Sequence, residues 1–226
     1  MFDFALMLEK FMEYRAQIGE AVGETFLMVG ISLAAAVLLG LPLGTMLFLT
    51  AKGQLRENRT WSAILNGFVN VVRSFPFLLL VVFMIPLTRF LVGTAIGTVA
   101  ASVPLGVVSI AIYARQVEQS LLEVPRGVIE AGLAMGASKL EIVYKFLYVE
   151  ARSGLVLGLT TSTISFISYS TVMGVVGGGG VGDFAIRYGY QRFETELMAA
   201  VIILMIILVQ LIQVAGSMIS RWLDKR

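Results

Sequence analysis

The chain has five lysines, and the residues directly ahead of them are Glu9, Ala51, Ser138, Tyr144 and Asp224. A phosphate-binding loop needs glycine before its lysine, so that backbone N–H groups can cradle the phosphates. None of the five qualifies, so this chain is not expected to hydrolyse ATP itself. Cysteine and histidine are absent, which leaves no disulfide framework and no Cys/His metal site. No nucleophile–base pair is visible either, so catalysis within the chain is the least supported reading.

What the sequence offers instead is hydroxyls and glycines. Ser153 to Met173 holds nine Ser or Thr residues in 21, with Tyr169 among them. Two readings fit. The hydroxyls could satisfy themselves on carbonyls of their own helix, or the helix could line a path for a solute. In the second reading Thr161, Ser165, Ser168 and Ser170 line the path, with Val172 and Met173 as gate candidates. An uncharged lining suits a path that releases its solute rather than gripping it. Gly177 to Gly182 follows. A glycine run holds phosphate only in a strand–helix setting, which is missing here. Tight backbone folding ahead of the last helix is the expected role.

The elements that position these residues belong to a bilayer. Of 226 residues, 58% are hydrophobic and 14% charged, with a mean hydropathy of +0.87. Soluble domains are about 45–50% apolar and about 25% charged. The apolar residues gather in uncharged runs at Thr25–Thr50, Phe90–Ala114, Ser153–Gly182 and Leu197–Ser220. A membrane helix needs roughly 20 apolar residues, so each run is long enough to span. A fifth span is expected between Arg59 and Arg89, where Arg73 leaves only the 15 uncharged residues Ser74 to Thr88. Either that helix is tilted with Arg73 near one end, or residues 61–72 first lie along the interface. A charge so close to a span must snorkel or pair.

Charge sets the orientation. With the N-terminus outside and five spans, the inside holds Lys52, Arg56, Arg59, Arg115, Arg126, Lys139, Lys145, Arg152, Arg221, Lys225 and Arg226. The outside holds Lys10, Arg15, Arg89, Arg187 and Arg192. Eleven against five satisfies the positive-inside rule, so N-out and C-in is expected. The net charge of +2 points to no nucleic-acid partner. Residues 1–23 read as an N-terminal amphipathic segment, either a helix on the membrane surface or a frayed extension. Its acidic residues Asp3, Glu9, Glu13 and Glu20 break the positive leading region of a cleavable signal. Residues 24–226 form the membrane domain.

Five spans cannot be halved into paired repeats, so a pathway on a symmetry axis needs a second copy of the chain. Gly40 with Gly44, Gly93 with Gly97, and Gly154 with Gly158 permit the close helix packing this requires. Two other functions stay open. A self-contained ion-coupled transporter is opposed by uncharged spans that lack a side-chain proton relay. A membrane scaffold that merely recruits a partner is opposed by the hydroxyl-rich fourth span.

The longest cytoplasmic segment is residues 115–152. Pro125 suits a first helical turn, Gly136 a helix stop, and Ser138 with Glu141 a capping box. The loop is therefore expected to be helix, sharp turn, helix. Val128, Ile129, Leu133 and Met135, with small Ala131, Gly132 and Ala134 between them, give a surface for a groove on a partner or for an interfacial connector.

Glu130-Ala131-Gly132, three residues, then Gly136 resembles the EAA loop of ABC-importer permeases. That family's pattern is Glu-Ala-Ala, three residues, Gly, nine residues, Ile-x-Leu-Pro. The departures are Gly132 for the second Ala, and Phe146-Leu147-Tyr148-Val149 at the far end. Arg73-Ser74-Phe75-Pro76-Phe77, Met84-Ile85-Pro86, Gly93-Thr94-Ala95-Ile96-Gly97, Ala114-Arg115-Gln116-Val117-Glu118, Gly177 to Asp183 and Arg187-Tyr188-Gly189-Tyr190 are similar to the methionine-uptake permeases of that family. The resemblance implies an all-α integral membrane protein of about five helices in the bacterial inner membrane. It implies a homodimer whose loops dock on two cytoplasmic ABC ATPases through Glu130, Ala131, Gly132 and Gly136. Those ATPases would bind ATP and Mg, leaving no cofactor in this chain. An extracytoplasmic substrate-binding protein would deliver a small amino acid, methionine first.

Overall fold

Long uncharged runs in a chain of helix-forming residues leave the helix as the economical way to satisfy backbone groups in lipid. The computed structural model describes residues 4–224 and, among them, contains helices and connections but no strand. Asp3, Lys225 and Arg226, which enter the charge reading, lie outside the described residues.

Helix α1 covers Phe4–Glu13, and α2 (Arg15–Ala35) continues through a π-helical turn at Ala36–Gly40 into α3 (Leu41–Thr50). Pro42 lacks an N–H and crowds the carbonyl four residues back. The widened turn just ahead of it relieves that conflict without ending the helix. The helix that carries the first uncharged run thus starts at Arg15, ahead of Thr25.

The stretch expected to hold the second span is divided into three helices. Helix α4 (Arg59–Ser74) ends before Pro76, α5 covers Phe77–Phe83, and α6 covers Ile85–Val92 behind Met84. The residue ahead of a proline avoids the helical region, and Phe75-Pro76 is where α4 and α5 part. Among the described residues four helices are long and apolar enough to cross a membrane, or up to five when the bent pair α4 and α5 counts as one span.

Three expectations change at helix ends. The helix of the run Phe90–Ala114, α7, spans Thr98–Leu122 rather than starting at Phe90. Gly93 and Gly97 stand at φ +84 and +102, a left-handed backbone that no helix continues through. These two glycines are a connection, not a helix-packing pair. At its other end α7 runs past Ala114 and carries Arg115 and Glu118, so the helices are not free of acidic residues. The second helix of the loop also does not stop. From Lys139–Glu141 (α9) the chain passes through a π-helical stretch, Ile142–Leu147, into α10 (Tyr148–Val175). Helix α11 (Gly180–Phe184), a π-helical turn at Ala185–Tyr190, and α12 (Thr195–Leu223) complete the chain.

Packing divides the chain into two compact units. The first comprises the described residues up to Ala34, Phe75–Val107 and Thr163–Ile212. One of its cores is Met28, Val81, Ala101, Leu105 and Met173, with Phe77 and Tyr169 ring centroids 4.7 Å apart. Another is Ile18, Ala21, Val181, Phe184, Leu197 and Val201. The second unit comprises Ala35–Ser74, Val108–Ser162 and the described residues from Gln213. Its helices meet through glycine. A Cβ at Gly40 would come within 2.9 Å of the Ile110 carbonyl oxygen, and one at Gly44 within 2.6 Å of Val117 Cβ. Gly154 lies on Ser120 and Gly158 on Gln116. Both glycine pairs are therefore used inside one chain, where close backbone approach replaces large side chains as the source of van der Waals contact.

Candidate functional site

Helix α8 (Arg126–Ala134) starts behind Pro125, which stands at its N-cap. It stops where Gly136 takes φ +78, donating its N–H to Leu133 O at 3.0 Å while Ala137 N donates to Gly132 O at 3.0 Å. A side chain at this left-handed position is penalised. Ser138 then caps α9: its Oγ accepts from Glu141 N at 3.3 Å, and Glu141 Oε2 accepts from Ser138 N at 3.0 Å. Lys145 Nζ donates to Glu141 Oε1 at 2.8 Å. That bond, followed by those from the Ser138 backbone and hydroxyl, pulls the Glu141 carboxyl down to about 2. The group lies ahead of the uncharged run that opens at Ser153.

The helix–turn–helix is thus closed by its own bonds, and one side of it is closed by packing. Gly132 is buried, with Ile142 and Phe146 against it. The other side is open. Glu130 and Ala131 are exposed, and Leu133, Met135, Leu140 and Tyr144 are 49, 69, 71 and 64% exposed. Four large apolar groups presented by a rigid turn form a patch of the kind that marks an interaction surface. The sequence-derived docking residues fall into two sets: Glu130 and Ala131 face outward, while Gly132 and Gly136 hold the shape.

The hydroxyl-rich helix divides differently. Thr160 donates to Val156 O at 2.9 Å, Thr161 to Leu157 O at 3.0 Å, Ser168 to Ile164 O at 3.2 Å, Ser170 to Ile167 O at 2.7 Å and Thr171 to Ser168 O at 2.7 Å. These hydroxyls are quenched on their own helix and present methyl, methylene or oxygen lone pairs to their surroundings. Ser168 and Val172 line a 620 Å³ cavity with Thr171, Val175, Ile206 and Gln210. Residues 168, 171, 172 and 175 share one helical face. No charged residue lines that cavity.

Ser170 and Met173 lie outside the lining of that cavity. Ser170 is 1% exposed, and Met173, at 3%, belongs to the apolar cluster with Met28 and Leu105. Thr161 is exposed and Ser165 half-buried, and neither lines the cavity. Sequence reasoning passed over Thr171, which sits three residues after Ser168 on the same face, and Gln210, one of two amides in the last apolar run.

The glycine run wraps a carboxylate of its own chain. Among the described residues, Gly177, Gly179 and Gly180 of this run stand at φ +80, +76 and +81. Gly180 N donates to Glu24 Oε2 at 2.6 Å, and Val181 N donates to Thr25 Oγ1 at 2.9 Å. A Cβ on Gly179 would lie 2.6 Å from the Glu24 carboxylate. Glu24 had one sequence signal, an acid at the edge of an uncharged run. A second polar node was also missed. Arg115 donates to Asn66 Oδ1 at 3.0 Å and Asn70 Oδ1 at 2.8 Å, and pairs with Glu118 at 2.5 Å. The i,i+4 asparagines of α4 and the i,i+3 charge pair of α7 are its sequence trace. Among the described residues no cluster of three His, Cys, Asp or Glu could hold a metal ion.

With this geometry in hand, comparison with known proteins finds concordant likenesses. Residues 36–226 match the family described as "binding-protein-dependent transport system inner membrane component". The chain is 45% identical over 206 residues to a "probable D-methionine transport system permease protein" of Vibrio cholerae, covering 91% of this chain and 92% of the relative. It is 39% identical over 181 residues to a "methionine import system permease protein" of Bacillus subtilis, covering 80% and 82%. Among solved structures, a chain of the MetNI methionine ABC transporter in inward-facing conformations superposes with a TM-score of 0.92 at 42% identity, covering 94% of this chain and 99% of that one. A chain of an amino acid ABC transporter with histidines shares the fold alone, with a TM-score of 0.78 at 17% identity.

Proposed function

We infer that this chain, which belongs to the family of inner membrane components of binding-protein-dependent transport systems, is the membrane-spanning permease subunit of an ATP-driven importer for methionine. The observation that carries the reading is the exposed face of the loop around Glu130. Leu133, Met135, Leu140 and Tyr144 stand 49 to 71% exposed on a turn fixed by Gly136 and the capping box. An apolar helical face with a carboxylate at its centre suits a groove on a cytoplasmic ATPase. The full assembly in this reading is two permease chains, two ATPases that bind ATP and Mg, and an extracytoplasmic binding protein, set in a bacterial inner membrane with the N-terminus outside. The permease itself performs no hydrolysis.

The chain's own residues then have separable tasks. The docking loop receives the ATPase movement, and α10 passes it along without a break, because α9, the π-helical stretch and α10 are continuous from Lys139 to Val175. The uncharged cavity face of Ser168, Thr171, Val172 and Gln210 gives a zwitterion weak contacts rather than a tight site. A substrate with a net charge would be desolvated there with no counter-charge. In proteoliposomes holding permease, ATPase and binding protein, ATP should drive uptake of methionine and not of lysine or glutamate. Uptake of methionine without the ATPase would contradict the reading.

A further inference from the structure

Among the described residues, Phe193 alone of the non-glycines has a positive φ, +58°. A bulky residue in the left-handed region is a strained placement, and such strain persists only where its surroundings enforce it. Here they do. Gln191 N donates to Ile186 O at 2.9 Å and Glu194 N to Gly189 O at 3.0 Å. Lys10 Nζ pairs with Glu194 Oε2 at 3.1 Å, a contact whose hydrogen bond is the main cause of the raised Lys10 pKa. Gly189 packs on Met198, where a Cβ would meet the sulfur at 2.8 Å. The Arg192 guanidinium lies 4.5 Å above the Tyr188 ring, and that ring stacks on Phe184 at 4.8 Å.

The turn is therefore rigid, yet its two largest side chains pack on little of the unit that builds it. Tyr190 is 71% and Phe193 87% exposed, with Arg192 exposed between them. Tyrosine and arginine are the residue types that dominate binding energy at protein interfaces, and aromatic residues in general are enriched there. A flexible loop would suffice to lay a phenylalanine into lipid, since rotamers alone can do that. A strained, bonded turn instead fixes a set of directions, which is what a folded partner requires.

We propose that Tyr190, Arg192 and Phe193 form a docking knob for the extracytoplasmic substrate-binding protein, whose facing surface would offer an apolar pocket rimmed by acidic groups. The charges support this choice. The basic residues on this stretch are Arg187, which pairs with Asp183, and Arg192, left over the Tyr188 ring to meet an acid from outside. The inference rests on the orientation and family reading above.

The test uses the whole permease–ATPase complex in nanodiscs and measures binding-protein affinity. Phe193→Asn keeps a residue that tolerates a left-handed backbone and removes the ring. It should weaken binding by about 30-fold, the effect of truncating a hot spot, and Tyr190→Ala by about 10-fold or more. Basal ATPase activity should stay at the wild-type level in both, which reports an intact complex. Unchanged affinity in both variants overturns the proposal. So does a loss confined to bilayer retention, which would make the knob a lipid anchor, or a loss confined to pairing of two permease chains. If the wild-type complex bound no binding protein at all, the family-level reading would fail before the knob is tested.

Discussion

Two glycine-bearing turns of this chain do opposite jobs. At Gly136 an added Cβ would meet nothing within 4 Å, and only φ +78 demands glycine. In the run from Gly174 to Gly182 space demands it. A Cβ on Gly174 would lie 2.6 Å from the Gly182 carbonyl carbon, one on Gly178 2.8 Å from the Met173 carbonyl oxygen, and one on Gly182 2.5 Å from Thr171 Cα. The run is folded against its own chain and sealed by the Glu24 carboxylate. The loop turn is held by local bonds alone, with its apolar side chains exposed. A turn that is rigid, solvated and surrounded by exposed leucine, methionine and tyrosine is built for something outside the chain, whereas a turn with no free volume is built for the chain itself.

The comparison breaks most visibly through volume. Gly182→Leu puts side-chain atoms into the Thr171 backbone, which cannot yield as a rotamer would. Overpacking at a fixed backbone costs about 3 kcal/mol or more. The variant should be lost from the folded fraction in gel filtration of detergent extracts. Gly136→Leu has open space and meets only a backbone penalty of about 1–2 kcal/mol, so it should still be recovered in the folded fraction.

Removing the seal comes next. Glu24→Ala strips Gly180 N of its acceptor, and a buried donor left unpaired costs about 1–3 kcal/mol. Thermal unfolding in detergent should shift down accordingly, with Glu24→Gln losing less because its amide oxygen can still accept. Equal stability of Glu24→Ala and wild type would mean the glycine run holds itself.

Conformation, rather than space, is the lever at Gly136. Gly136→Val should cost about 1–2 kcal/mol of local stability and lower substrate-stimulated hydrolysis, while Gly136→Asn, which tolerates the left-handed region, should keep most of it. The smallest effect is a gain. Gly132 stands where the resembling pattern has alanine, and its Cβ would make ordinary contacts at 3.4 to 3.6 Å with Ile142 and Phe146. Gly132→Ala should stabilise α8 by about 0.5–1 kcal/mol, read as slower amide exchange across residues 126–134.

The helix–turn–helix around Gly136 was largely legible in the sequence because its determinants are local: a proline, a glycine and a Ser-x-x-Glu box act within four residues of themselves. The long apolar runs were legible because span length is a count. Their ends were not. Phe90 reads as the start of a span until Gly93 and Gly97 take left-handed backbone, and nothing in Ser153 announces that α10 is continuous with the helix begun at Lys139. The cavity-lining face of α10 was half legible. Hydroxyl content marks the helix, but the apolar core that claims Met173, and the burial of Ser170, are contributed by distant segments. Glu24 and Gly180 are 156 residues apart, and no local pattern joins them.

The central claim is that the face around Glu130 couples this chain to an ATPase, and a binding measurement tests it most directly. Glu130 lies in the middle of α8, exposed, while Glu123 precedes Pro125 and lies outside the motif. Reversing a charge at a docked boundary costs roughly 2–5 kcal/mol, or at least about 30-fold in affinity. Purified ATPase should bind Glu130→Arg permease in nanodiscs at least about 30-fold more weakly than wild type, with Glu123→Gln unchanged. Wild-type affinity in Glu130→Arg, with transport intact, would contradict the account.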